Sequence, residues 1–160
     1  MYVDQATRLR FVYLQKSATA EETIKGKIAF KLFCLNQGIK IKAYHADNGV
    51  FRANAWINHC NLNNQVLSYA AVNAHHQNGV AECRIRELQN LSQTMMIHGA
   101  KTNLWPYALQ QTNEIIHNSP NMLDKQGRSP IEIFTGTKVA INVKHYQTVG
   151  NINSNVIFIT

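Results

Sequence analysis

The segment "YHADNGVF", Tyr44–Phe51, decides how this chain is read. An apolar and basic run, "IKIKAYHA" (39–46), stops abruptly at Asp47-Asn48-Gly49. The run has the alternation of a strand, with Ile39, Ile41 and Ala43 on one face and Lys40 and Lys42 on the other. Asp-Asn and Asn-Gly pairs are ordinary turn formers, because Asx side chains bond back to nearby amides. A carboxylate at a strand end also suits a hard metal ion, which takes oxygen ligands. Asp47 alone does not separate these readings. A metal site needs further acids.

The bulk properties set bounds. At 160 residues and 45% apolar, the chain is one globular domain in size. No apolar run is long enough to span a membrane. The start, "MYVDQATRLR", lacks the charged-then-apolar pattern of a secretory signal. Cys34, Cys60 and Cys83 are odd in number and far apart, which argues against a disulfide framework and for a reducing compartment. Sixteen basic residues against nine acids leave a formal charge of +7, and such a surface favours polyanions, nucleic acid first among them.

Strand and helix patterns alternate along the chain. Residues 1–5 and 9–15 read as strands joined by a tight turn at "QATR". Thr19-Ala20-Glu21-Glu22 is a capping box opening a helix with Ile24, Ile28, Leu32 and Leu35 at helical spacing, and Gly38 ends it. After strand 39–46 come a short helix near 54–63, burying Trp56, Ile57 and Cys60, and a strand at 65–70. A polar loop, 71–77, precedes a long helix, 78–98, and a further helix spans 104–118. Ser129-Pro130-Ile131-Glu132 is a second capping box, and the tail 145–160 reads as a strand or irregular cover. The order implies an α/β fold.

The long helix supplies the second acid. Ala81, Ile85, Leu88 and Met95 form an apolar stripe, and Glu82, Arg86, Gln89 and Gln93 a polar one. Glu82 stands in the first turn, where a carboxylate is also favoured by the helix dipole alone.

Together these segments are more specific than either acid. "ADNG" at a strand end followed by "QNGVAE" opening a helix resembles the catalytic core of retroviral and retrotransposon integrases. "HHQNGVAECRIREL", "TMM" and "GRSPIEIF" look most like the copia-type elements. The resemblance covers residues 1–136 as the core, with 137–160 as a C-terminal extension. It implies an RNase-H-like mixed sheet flanked by helices. It also implies two divalent ions, Mg²⁺ or Mn²⁺, with Asp47 and Glu82 as catalytic metal ligands. The implied activity is 3′-end processing and strand transfer, with DNA as partner, cores that associate as homo-oligomers, no membrane, and an intracellular, ultimately nuclear, location.

A third acid belongs to the family's triad, and Asp4 is the obvious candidate. "YVDQATRLRFVYLQKS" resembles the family's own "VD-x-x-[ST]-R" segment, which follows the strand bearing the first catalytic Asp. The Asp-x-x-Gly-Pro context of that residue does not occur here. Asp4 is therefore expected to be a turn residue, and the core to be N-terminally incomplete, lacking its central first strand. The alternative to an integrase is thus a catalytically inactive DNA-binding relic.

The DNA contacts expected beside the acids are Arg84, Arg86 and Arg52, with Asn78 and Gly79 at the loop exit. Asn78-Gly79 is equally an N-cap and turn, and Lys40 and Lys42 equally solvate a strand edge. The family's basic residue after its Glu is replaced here by Cys83. His75, His76, His59 and Cys60 lack zinc-site spacing. Trp56, Trp105 and Phe134 read as core.

Overall fold

Tyr44 and Trp56, meeting edge to face with ring centroids 5.8 Å apart, mark the centre around which the Asp47 turn is built. The computed structural model describes residues 1–70, 79–96, 101–121 and 124–138. In chain order the elements are β1 (Tyr2–Val3), β2 (Arg10–Phe11), α1 (Ala20–Asn36), β3 (Ala43–Ala46), α2 (Asn54–Leu62), β4 (Val66–Tyr69), α3 (Gly79–Met96), α4 (Trp105–Asn118) and α5 (Pro130–Thr135). Short 3-10 turns occupy Val50–Arg52 and Thr102–Leu104. The fold is α/β. Among the described residues its strands pair as two separate two-stranded sheets, β1 with β2 and β3 with β4.

The chain gathers into two compact units, Met1–Tyr2 with Tyr13–Cys83, and Val3–Val12 with Arg84–Thr160. In the first, β3 and β4 run parallel in the register Ala43 to Val66 through Ala46 to Tyr69. A parallel pair needs a crossover, and α2 supplies it. α1 and α2 pack on each other and α2 packs on β4. Thr19 caps α1, its Oγ1 accepting from the Glu22 amide at 3.4 Å. The expected reciprocal arm of that box is absent, since the Glu22 carboxylate accepts from Lys25 at 2.5 Å instead. Gly38 takes the left-handed conformation, φ 73°, and its amide closes the helix onto the Leu35 carbonyl at 2.9 Å.

Two faces are inverted relative to the sequence pattern. The buried residues of α1 are Thr23, Gly26, Lys27, Phe30 and Cys34, whereas Ile28, Leu32 and Leu35 are 42%, 55% and 47% exposed. α1 is apolar on two sides, so spacing alone does not choose between them. Aromatic packing decides. Phe30 stacks on Tyr2 at 5.0 Å, and α1 approaches Tyr13 so closely that a Cβ on Gly26 would lie 2.9 Å from its ring. In β3 the buried residues are Tyr44 and Ala46, not Ala43. Strand parity is all-or-none, and the larger Tyr44 takes the inside.

In the second unit, α4 packs against β2 and α5. Leu88, Ser92, Ala108, Thr112 and His117 are buried. The buried Ser92 Oγ donates to the Leu88 carbonyl at 2.7 Å. α5 has the complete capping box expected of it: the Ser129 amide donates to Glu132 Oε2 at 2.9 Å, and the Glu132 amide to Ser129 Oγ at 3.4 Å. No helix among the described residues is long and apolar enough to cross a membrane. The tail 145–160 and the loop bearing His75 and His76 lie outside the described residues.

Candidate active site

β3 delivers Asp47 immediately past its last residue, Ala46. The ladder ends there, with the Ala70 amide donating to the Ala46 carbonyl at 3.0 Å. Asp47 folds back on itself, Oδ1 accepting from the Gly49 amide at 3.2 Å, and its side chain is exposed. Asn48 fixes the turn to the neighbouring strand's end, Nδ2 donating to the Ala70 carbonyl at 3.1 Å. Tyr69 anchors the next residues, its hydroxyl donating to the Phe51 carbonyl at 2.8 Å. Phe51 in turn meets Trp56 edge to face at 5.1 Å. The backbone beneath Asp47 is therefore held at three points, while the carboxylate faces water.

Glu82 occupies the first turn of α3 and is exposed. It has no hydrogen-bond or ion-pair partner among the described residues. Dipole stabilisation alone suffices to place an acid there. An unpaired carboxylate in that position also keeps its oxygens available to a cation. Asp47 and Glu82 belong to the same compact unit.

Asp4 is used differently. Its Oδ2 accepts from the Thr7 amide at 2.8 Å and the Thr7 hydroxyl at 2.7 Å. The backbone closes the same turn, with Asp4 N–H to the Leu9 carbonyl at 2.8 Å and Arg8 N–H to the Asp4 carbonyl at 3.0 Å. Arg8 takes a left-handed φ of 65°, a cost that the double capping offsets. As a metal ligand Asp4 would have to give up this turn.

The expected DNA contacts divide in the same way. Arg52 is exposed and lies 5.0 Å over the Tyr69 ring, which orients its guanidinium beside the Asp47 turn. Arg86 is exposed on the polar stripe with Glu82, Gln89 and Gln93, all exposed as their spacing requires. Arg84 donates to Glu87 at 2.7 Å, and Glu87 also accepts from the buried Arg10 at 2.6 Å. Arg84 is thus already paired inside the chain. The Arg84–Glu87 pair is an i,i+3 contact open to sequence reading; what the sequence hides is that Glu87 also serves Arg10, 77 positions away. Gly79 begins α3, and among the described residues a Cβ there would meet nothing within 4 Å. Asn78 lies outside the described residues. Lys40, Lys42 and Cys83 are exposed.

Two carboxylates with free oxygens are the right donors for a hard divalent ion. They are not a complete set. Among the described residues no group of three or more His, Cys, Asp or Glu side chains is placed to hold a metal ion.

No protein-family model matches the chain, and no curated protein matches it either. Solved structures do. The HTLV-2 integrase catalytic core domain in complex with magnesium, in its dimeric form, superimposes with a TM-score of 0.63 at 18% identity, over 82% of this chain and 80% of that one. The catalytic core domain of BIV integrase gives 0.64 at 19% identity, over 84% and 82%. A chain of the simian T-cell lymphotropic virus intasome gives 0.70 at 15% identity, over 87% of this chain; this chain spans 48% of that one. At such identities the likeness establishes the fold, that of retroviral integrase catalytic cores.

Proposed function

We propose that this chain is the catalytic core of a copia-type integrase, acting on DNA by metal-dependent polynucleotidyl transfer. The observation that carries the reading is where two acids stand in an integrase-core fold: Asp47 exposed just past β3 and Glu82 exposed in the first turn of α3. Asp47 and Glu82 would hold Mg²⁺ or Mn²⁺, which supplies charge stabilisation for the attacking and leaving oxygens of a phosphodiester displacement. The chain's own residues do the rest. Asn48 and Tyr69 hold the Asp47 backbone rigid. Arg52 and Arg86 receive phosphates and position the DNA without reading its sequence. The HTLV-2 core is described in dimeric and trimeric forms, which supports association of this core with itself as well. Action on chromosomal DNA places the working protein in the nucleus.

A second reading has an observation of its own. The Asp4 carboxylate is taken by Thr7, which favours a core that binds DNA without cutting it. One experiment separates the two: strand transfer of a processed DNA end in Mn²⁺ by the chain, by Asp47→Asn and by Asp4→Asn. Joining that vanishes in Asp47→Asn and survives in Asp4→Asn supports the integrase reading with Asp4 structural. Joining that vanishes in Asp4→Asn, with folding and DNA binding intact, makes Asp4 the third ligand. DNA binding with no joining by any of the three proteins supports the inactive core.

A further inference from the structure

Lys27 is the least expected residue of the first unit. It sits on α1 with no exposed surface, and its Nζ lies 3.0 Å from Cys60 Sγ and 3.0 Å from His59 Nδ1, both on α2. The rings of Tyr44 and Trp56 stand over it at 5.1 and 5.0 Å. No carboxylate lies within ion-pair distance of it among the described residues. A buried ammonium without an anion is costly. Cys60 has no exposed surface either, so amine and thiol face each other out of solvent, with the half-buried His59 at the edge. Neither group takes part in the proposed DNA chemistry.

We propose that Lys27 and Cys60 are a modification site, at which a peroxide joins Nζ to Sγ through one bridging oxygen. Hydrogen peroxide first converts the Cys60 thiol to sulfenic acid, releasing one water. Once the Lys27 ammonium has released a proton, the sulfenic O–H and one N–H of the Lys27 amine break, and an N–O bond forms. A second peroxide takes up the two hydrogens and two electrons and leaves as two waters. The product is Cys60 S–O–NH Lys27, and thiol reductants return it to thiol, amine and water. The geometry favours this product because the nitrogen is already 3.0 Å from the sulfur and both residues are fully buried. His59 Nδ1, 3.0 Å from Nζ, is placed to receive the proton that the Lys27 ammonium gives up before the step. Small oxidants reach the site when the unit opens locally. The link ties α1 to α2, the helix that follows the Asp47 turn, and its formation removes the buried charge.

The test is peptide mapping of the full chain before and after hydrogen peroxide, with free thiols blocked and no reductant present. The expected product is a cross-linked peptide pair containing Lys27 and Cys60, heavier than the sum of the two by one oxygen less two hydrogens, and released by dithiothreitol. In Lys27→Met the pair is absent and Cys60 stops at a sulfur acid. Treated chain should also melt higher than untreated chain, and dithiothreitol should reverse the shift; this reading needs no variant to fold. Recovery of oxidised Cys60 with Lys27 unmodified, or of Cys60 as an untouched thiol while the exposed Cys83 is fully oxidised, overturns the proposal.

Discussion

Two aspartates follow two strands in this molecule, and their surroundings differ. Asp4 accepts twice from Thr7 and sits in a hairpin that is tied down throughout: Arg10 pairs with Glu87, and His117 Nε2 donates to the Arg10 carbonyl. Asp47 accepts once, at 3.2 Å, while the backbone around it is fixed by other residues. In the first case the carboxylate makes the structure. In the second the structure supports the carboxylate and leaves it unsatisfied, the condition a metal ligand requires.

The comparison breaks most readily on metal affinity. Asp47→Asn or Glu82→Gln should weaken Mn²⁺ binding by about tenfold or more, each tenfold being about 1.4 kcal/mol. Asp4→Asn should leave it unchanged. Calorimetric titration of the folded variants reads this directly, and equal losses in all three would erase the distinction.

The hairpin side is sharpened by pH. Burial, with the Arg10 charge beside it, pushes His117 down to about 4, against 6.5 for a free histidine. The folded value is the lower one, so the unfolded chain binds the extra proton between these limits. Stability is therefore full above pH 6.5 and falls as pH drops toward 4, by about 3 kcal/mol from this group at about 1.4 kcal/mol per unit. Denaturant unfolding at several pH values, compared with His117→Gln, isolates that share from the carboxylates. A variant whose acid sensitivity matches the parent would show that the His117–Arg10 contact does not anchor the hairpin.

A smaller effect tests Asp4 itself. Asp4→Ala removes two acceptor bonds from a turn with a left-handed residue, and should cost about 1–2 kcal/mol. Asp47→Ala, at an exposed site with one weak bond, should stay within about 0.5 kcal/mol. If Asp47→Ala proved the more damaging, the turn at the end of β3 would be structural after all.

What the sequence disclosed follows the range of each interaction. Local chemistry was readable: Thr19, Gly38 and the Ser129–Glu132 box mark helix ends through bonds spanning a few residues. The Asp4 turn and the place of Asp47 past a strand were readable for the same reason. Tertiary choices were not. α1 offers apolar residues on two sides, and only the aromatic contacts with Tyr2 and Tyr13 bury the side that carries Lys27. A lysine on such a helix reads as solvated, so nothing in the sequence pattern marks the Lys27–Cys60 site. Arg84 and Arg86 differ by a local contact, the i,i+3 pair of Arg84 with Glu87, and what the sequence hides is only that Glu87 is also bound by the distant Arg10.

These two arginines give the smallest and most discriminating prediction. Binding to duplex DNA should weaken with salt at a slope of about −0.9 per phosphate neutralised. Arg86 is exposed with no partner among the described residues, so it can meet a phosphate without giving anything up. Arg84 must first leave Glu87, which it contacts at 2.7 Å, and Glu87 also serves the buried Arg10. Arg86→Ala should therefore flatten the slope by about 0.9, and Arg84→Ala by clearly less. Glu87→Gln provides the control. It weakens the hold on Arg84, so the slope should steepen, and Arg84→Ala made in that background should then cost what Arg86→Ala costs. Equal flattening by both arginines in the unaltered protein would mean that the Glu87 pairing yields to DNA. No flattening by either would mean that this side of α3 does not face the duplex.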